Sequence, residues 1–296
     1  MKRDAIQMRD PFVLVHDGQY ILTGTTDADC WRGQPTGFDA YTSTDLENFT
    51  LAGKIFAPSE NFFGTQNFWA PEIHPYKGAY YLFASFKAPG RCRATAILCA
   101  DTPLGPYLPH GAETVTPEDW ECLDGTLFVD DAQQPWLVFC HEWVQIGDGA
   151  ICARRLKPDL SGAESMPITL FSASKAPWAK KVRHSSGMEG HVTDGPFLYR
   201  PKGGGLWMLW SSLSESGYAI GLATSRSGDI LGPWDQQPLP IYAGDGGHGM
   251  LFQDLQGILR LAIHTPNHTP EERPIFLPIQ ETGGSLRITS TGRDVL

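Results

Sequence analysis

A chain of 296 residues with 41% hydrophobic and 11% aromatic side chains can bury a full core, and its 32 Gly and 23 Pro suit a fold with many turns. The formal net charge of -10, with Lys and Arg scattered along the chain, argues against nucleic acid and anionic membranes as partners and favours a neutral ligand. No apolar run approaches the length of a membrane span, and Met1-Lys2-Arg3-Asp4 leads into the first repeat without a signal-peptide core. A cytoplasmic protein is therefore expected, unless a secreted or periplasmic one has been trimmed.

Taken in chain order, five hairpin units are predicted, each a turn dipeptide opening a short apolar strand. The first begins at Asp10-Pro11, turns at His16-Asp17-Gly18 and returns over Gln19 to Gly24. The second runs from Pro71 through Lys77-Gly78 into Ala79 to Phe83. The third is Asp124 to Val129, a turn around Asp130-Asp131, then Pro135 to Phe139. The fourth is Asp194 to Tyr199, the Gly203-Gly204-Gly205 turn, then Leu206 to Trp210. The fifth is Gly247 to Phe252, a turn near Gly257, then Ile258 to Ile263. Further strands end in Gly-Pro-aromatic turns at Gly105-Pro106-Tyr107 and Gly232-Pro233-Trp234, so each unit has at least three strands and room for four. The period is roughly 60 residues, enough for four short strands with loops.

Long helical periodicity is absent, and the best helix candidate, Thr116 to Trp120, is a turn or two. No linker, low-complexity tract or charge block divides the chain, so residues 1–296 are expected to form one domain. The six cysteines have no metal-ligand spacing. Cys140 and Cys152 read as buried thiols, while Cys122 with Cys140, or Cys92 with Cys99, could face each other across a hairpin.

The first, third and fourth units open with Asp10, Asp124 and Asp194. In a radial repeat, equivalent residues point at one axis, so these carboxylates are expected to share a site. Singly, Asp-Pro and Asp-Gly are ordinary turn formers. The register across repeats is what carries the signal.

Together Arg9-Asp10-Pro11, Phe68-Trp69-Ala70-Pro71-Glu72, Leu123-Asp124-Gly125, Thr193-Asp194-Gly195-Pro196 and Gly247-His248-Gly249 resemble glycoside hydrolase family 43. The resemblance runs from Asp10 to about Leu277. It implies an all-β, five-bladed β-propeller around a central channel, and an inverting glycosidase acting on arabinose-, xylose- or galactose-containing plant-type oligo- or polysaccharides. By resemblance, Asp10 is the general base, Asp124 orients the acid and holds its pKa high, and blade four supplies the general acid.

Inversion needs one ionised carboxylate and one protonated carboxylic acid on opposite faces of the sugar, with room for a water. The family has Glu-Gly-Pro in blade four where this chain has Asp194-Gly195-Pro196. Aspartate places its carboxyl about 1.5 Å farther back. Asp194 is the first candidate for the acid, Glu189 in a glycine-flanked loop is the alternative, and Glu72 is either a third candidate or a ligand of a sugar hydroxyl. Trp69, with Phe68 and Trp31 in the preceding loops, is expected to wall the sugar site, and Trp143 either walls it or packs. Trp136, Trp207 and Trp210 read as packing.

No cofactor is required by this chemistry. The resemblance implies that His248 could help hold a channel calcium through water, although calcium prefers oxygen ligands; a channel histidine bonded to backbone and water is the competing reading. Exo action on short imported oligosaccharides is favoured, with endo action on arabinan and a non-catalytic sugar-binding propeller as alternatives. The invertase-like propeller family is demoted, because Arg9-Asp10-Pro11 and Trp120-Glu121-Cys122 lie two repeats apart and its upstream nucleophile motif is missing.

Overall fold

A computed structural model describes residues 1–184 and 187–289. Five four-stranded antiparallel sheets follow one another along the chain as the blades of a β-propeller. Blade one is Arg9–His16, Gln19–Thr25, Phe38–Ser43 and Thr50–Phe56, and blade two is Gln66–Tyr76, Ala79–Lys87, Ala94–Ala100 and Leu108–Pro109. Blade three is Cys122–Val129, Pro135–His141, Ala150–Arg155 and Ile168–Ser172. Blade four is Asp194–Tyr199, Leu206–Ser214, Gly217–Ser225 and Trp234–Gln236, and blade five is Gly247–Gln253, Leu259–Thr265, Arg273–Thr282 and Ser285–Ile288. The five hairpins expected from sequence are the two inner strands of each blade, and the fourth strand is present throughout.

The second strands read as continuous apolar runs because blades pack face to face and cover both of their surfaces. Pro135–His141 is buried at every position. Side chains between neighbouring blades form the core, with one cluster joining blades five, one and two and others filling the remaining junctions. Between blades one and two, Phe38, Phe56, Phe62, Phe68 and Phe86 pack with ring centroids from 4.9 to 6.2 Å apart. Such pairs contribute about 0.5–1.5 kcal/mol each beyond their buried area. Trp136, Trp207 and Trp210 are buried in their hairpins, as their positions suggested.

Because each blade is one contiguous segment, side chains close the ring between blades five and one. Arg9 donates to Glu272 Oε1 at 2.7 Å and to Asn267 Oδ1 at 2.8 Å, and the Leu255 N–H donates to the Tyr20 hydroxyl oxygen at 2.8 Å. The turn Arg3–Ala5 lies against blade five, where Arg273 donates to the Asp4 carbonyl at 2.7 Å.

Two local expectations fail, a helix at Thr116 to Trp120 and the facing of Cys122 with Cys140. Thr116 to Trp120 is not helical; the short helix is Trp143–Ile146, anchored by Gln145, whose side-chain oxygen accepts the Glu121 N–H at 2.8 Å. All six cysteines are free, and in the blade-three hairpin Cys122 lies opposite His141 while Cys140 lies opposite Leu123. Among the described residues, no helix is long and apolar enough to cross a membrane.

Candidate active site

In every blade the pairing of the first two strands slips at the same place. The slips fall between Arg9 and Phe12, Trp69 and Glu72, Leu123 and Thr126, Asp194 and Phe197, and Gly247 and Met250. At each slip one residue takes the left-handed conformation: Asp10 (φ 53°), Ala70 (49°), Asp124 (56°), Gly195 (50°) and His248 (49°). Outside glycine this conformation costs on the order of 1–2 kcal/mol, and here it turns side chains into the mouth of the channel.

This register corrects the expected equivalence of the three aspartates. Asp10 and Asp124 share a repeat position with Gly195, and Asp194 stands one residue earlier, level with Arg9, Trp69 and Leu123. The cause is steric. A Cβ at Gly195 would lie 2.8 Å from the His248 ring, so blade four has no room for a side chain at the common position. Its carboxyl reaches the same pocket from the residue before.

Asp10, Asp124, Asp194 and His248 line one pocket of about 450 Å³, and the first two are more than nine-tenths buried. His248 Nδ1 is 3.2 Å from Asp10 Oδ1 and 3.5 Å from Asp124 Oδ2. Asp10 Oδ2 accepts the Thr25 hydroxyl at 2.6 Å. Burial pushes Asp10 upward, but His248 and the Arg9 charge, helped by the hydrogen bond from Thr25, outweigh it and hold the carboxyl below its ordinary range. His264 is itself pushed down to about 3 by burial and by Arg9, so its imidazole is neutral and accepts the Asp10 N–H at 3.1 Å.

The other two carboxyls behave oppositely. Burial and the neighbouring Asp10 charge push Asp124 well above the usual carboxylate range, against the pull of the Gly195 N–H that it accepts at 2.8 Å. Burial and Asp124 push Asp194 up to about 7. Tyr218 donates to Asp194 Oδ2 at 3.0 Å, and burial keeps that phenol protonated. The site thus holds an ionised carboxylate and a carboxyl that keeps its proton near neutrality.

A profile described as "Glycosyl hydrolases family 43" matches residues 5–277. The chain belongs to glycosyl hydrolase family 43. It is 42% identical to a solved structure described as an endo-arabinase from Bacteroides thetaiotaomicron VPI-5482, covering 96% of this chain and 98% of that one with a TM-score of 0.90. It is 26% identical over 234 residues to the extracellular exo-alpha-(1->5)-L-arabinofuranosidase ArbA of Cellvibrio japonicus, covering 71% of this chain and 64% of that protein. A third relative, the extracellular endo-alpha-(1->5)-L-arabinanase 1 of Bacillus subtilis, is 26% identical over 157 residues and 49% of each chain. This chain therefore spans between half and two thirds of the curated relatives it matches.

Aromatic rings and ion pairs complete the walls of the family 43 pocket. Arg93 pairs with Glu142 and lies over the Trp69 ring at 4.0 Å, while Lys87 pairs with Glu121 at 2.7 Å. Arg9 lies over Trp31 at 4.9 Å, and Trp31 meets Trp69 edge-on at 5.1 Å. Trp69 is thus on the wall as expected, with Arg93 covering one of its faces. Trp143 also lines the pocket and meets His184 edge-on at 5.7 Å. A second lobe of about 460 Å³ adjoins the first; the two share Arg9, Trp31, Asp194 and Tyr218, and Leu213, Asn267, His268 and Thr269 complete the second.

Three expected site residues lie elsewhere. Phe68 is 1% exposed inside the phenylalanine cluster, where an apolar ring gains more from packing than from lining a wet groove. Glu72 is buried off the pocket, with Oε2 2.8 Å from His74 Nε2. Glu189 is exposed on a small ribbon, Val182–Arg183 with Glu189–Gly190, and faces Lys181 at 3.2 Å. The loop carrying it includes residues 185 and 186, which lie outside the described set. His248 Nδ1 is turned on Asp10 and Asp124, so any part it takes in holding a calcium through water falls to its other ring nitrogen. Among the described residues no group of three or more His, Cys, Asp or Glu could hold a metal ion.

Proposed function

We propose that this family 43 glycosidase removes terminal arabinofuranosyl units from α-1,5-linked arabinan or its oligosaccharides, with inversion at the anomeric carbon. The observation that carries the proposal is the position of Asp194. It is the acidic residue that lines both lobes of the groove, whereas Asp10 and Asp124 face the deeper lobe alone. A proton donor must reach the oxygen between the departing sugar and the rest of the chain. The deeper lobe then takes the sugar that is released, and the shallower lobe takes the leaving chain.

In this reading Asp10 is the general base. Its ionised carboxylate takes a proton from water as the water oxygen bonds to the anomeric carbon. The bond from that carbon to the glycosidic oxygen breaks, and Asp194 delivers its proton to the departing oxygen. Tyr218 occupies Asp194 Oδ2, leaving Oδ1 to carry the proton. Asp124 and Asp194 resist carrying two charges at once, which raises Asp194, and through the Gly195 N–H Asp124 is fixed to the segment that bears it. Acid and base both come from the chain, so treatment with a chelator is expected to leave kcat unchanged.

The substrate class is supported by the three arabinose-linked relatives. Endo action is the second reading, favoured by the 42% identical structure, which is described as an endo-arabinase. Linear α-1,5-arabinan followed by NMR separates them. Arabinose as the first product, formed as the β anomer, is the expected result. Early oligosaccharides would establish the endo reading, an initial α anomer would contradict inversion, and binding without release would contradict catalysis.

A further inference from the structure

We infer that Cys140 is a positioning residue: it does not accept the backbone hydrogen bond that its four counterparts accept, and so assigns the Gly195 N–H to Asp124. The inference rests on Asp124 and Asp194 acting as proposed above.

The residues opposite the strand slips on the second strands are Thr25, Ser85, Cys140, Ser211 and His264. Four of them accept the N–H of the left-handed residue in the following blade. Thr25 Oγ1 accepts Ala70 N–H at 2.8 Å, Ser85 Oγ accepts Asp124 N–H at 2.8 Å, Ser211 Oγ accepts His248 N–H at 2.8 Å, and His264 Nδ1 accepts Asp10 N–H at 3.1 Å. These bonds run from blade to blade around the channel and are broken once, at the step from blade three to blade four. There the second-strand residue is a fully buried thiol, a weak acceptor. The Gly195 N–H turns instead to Asp124 Oδ2 at 2.8 Å.

A buried N–H needs a partner, so the missing acceptor decides where Asp124 sits. Asp124 lies within electrostatic reach of Asp10, Glu142, Glu72 and Asp194, all acidic, and its Oδ2 is 3.5 Å from His248 Nδ1. Repulsion from those neighbours favours swinging the carboxylate away. The Gly195 N–H holds it beside Asp194. A hydroxyl at position 140, as at the matching places in blades one, two and four, would compete for that N–H and release Asp124.

The test compares Cys140→Ser with Cys140→Ala. Each is assayed on arabino-oligosaccharide, which needs full protonation of its leaving group, and on an activated aryl arabinofuranoside, which needs little. Cys140→Ser is expected to lower kcat on the oligosaccharide about tenfold more than on the aryl glycoside, with KM unchanged. Cys140→Ala offers no acceptor and should change both rates by one factor. A crystal structure of C140S should show the new hydroxyl accepting the Gly195 N–H. Equal factors for the Ser variant, the same asymmetry in the Ala variant, or an N–H still on Asp124 in C140S would overturn the inference. If Asp194→Ala shows the asymmetry and Cys140→Ser does not, this inference fails alone; if Asp194→Ala lacks it, the reading beneath fails with it.

Discussion

The two ends of the central channel are lined by residues two positions apart on the same five strands, and their chemistry is opposite. At one end stand Asp10, Asp124, Gly195 and His248, backed by Asp194; at the other stand Phe12, Thr126, Phe197 and Met250 around a largely apolar cavity. The slip in strand pairing separates them, because one left-handed residue changes the direction in which the next side chains leave the backbone. On these inner strands the strained residues and most of the charge fall in one layer, and mainly apolar packing resumes beneath it. Glu72 is the exception in the lower layer, and it is tolerated because His74 meets its carboxyl at 2.8 Å.

This division predicts that the two ends fail differently. Asp10→Ala should give the largest effect, a loss of about 10³- to 10⁴-fold in kcat on natural and aryl glycosides alike, since the attack by water is always required. Met250→Ala, at the other end, should lower stability by about 2–5 kcal/mol in urea unfolding and leave kcat untouched. A comparable loss of activity there would dissolve the distinction.

Titration sharpens it further. Asp194 is raised from 3.8 to about 7, so the folded protein binds this proton more tightly than the unfolded chain, and the resulting stability disappears as pH rises through about 7. Asp194→Asn carries no such charge. Relative to the parent, it should gain on the order of 4 kcal/mol at pH 8 and under about 1 kcal/mol at pH 4. In the parent, kcat should fall as pH rises through about 7. The smallest effect is expected for Glu189→Ala, within about 0.5 kcal/mol in stability, with leaving-group dependence unchanged. Selective loss on natural glycosides in that variant would move the acid from Asp194 to Glu189.

Much of the layered pattern was legible in the sequence. Turn dipeptides and continuous apolar runs marked the hairpins, and Asp10 and Asp124 could be placed at one channel mouth. The one-residue offset of Asp194 was not, because it follows from the His248 ring standing where a Gly195 side chain would go, a contact between blades. Tyr218, Arg93 and Glu142 were missed because no turn or repeat marks them; Tyr218 reaches the pocket from the third strand of blade four, and Arg93 and Glu142 from loops beside their strands. His264 had a usable signal: counting back along its hairpin sets it opposite Gly247, as Thr25 lies opposite Arg9. Phe68 was misjudged because its neighbour Trp69 does line the wall, and adjacent strand residues face opposite ways.

The central claim is that blade four delivers its proton from Asp194, one residue before the common repeat position. Rates of Asp194→Ala on arabino-oligosaccharide and on an arabinofuranoside with a good aryl leaving group test it most directly. The account predicts a loss of about 10²- to 10⁴-fold on the former and near-parental turnover on the latter. Equal losses on both substrates, or full activity on the oligosaccharide, would contradict it.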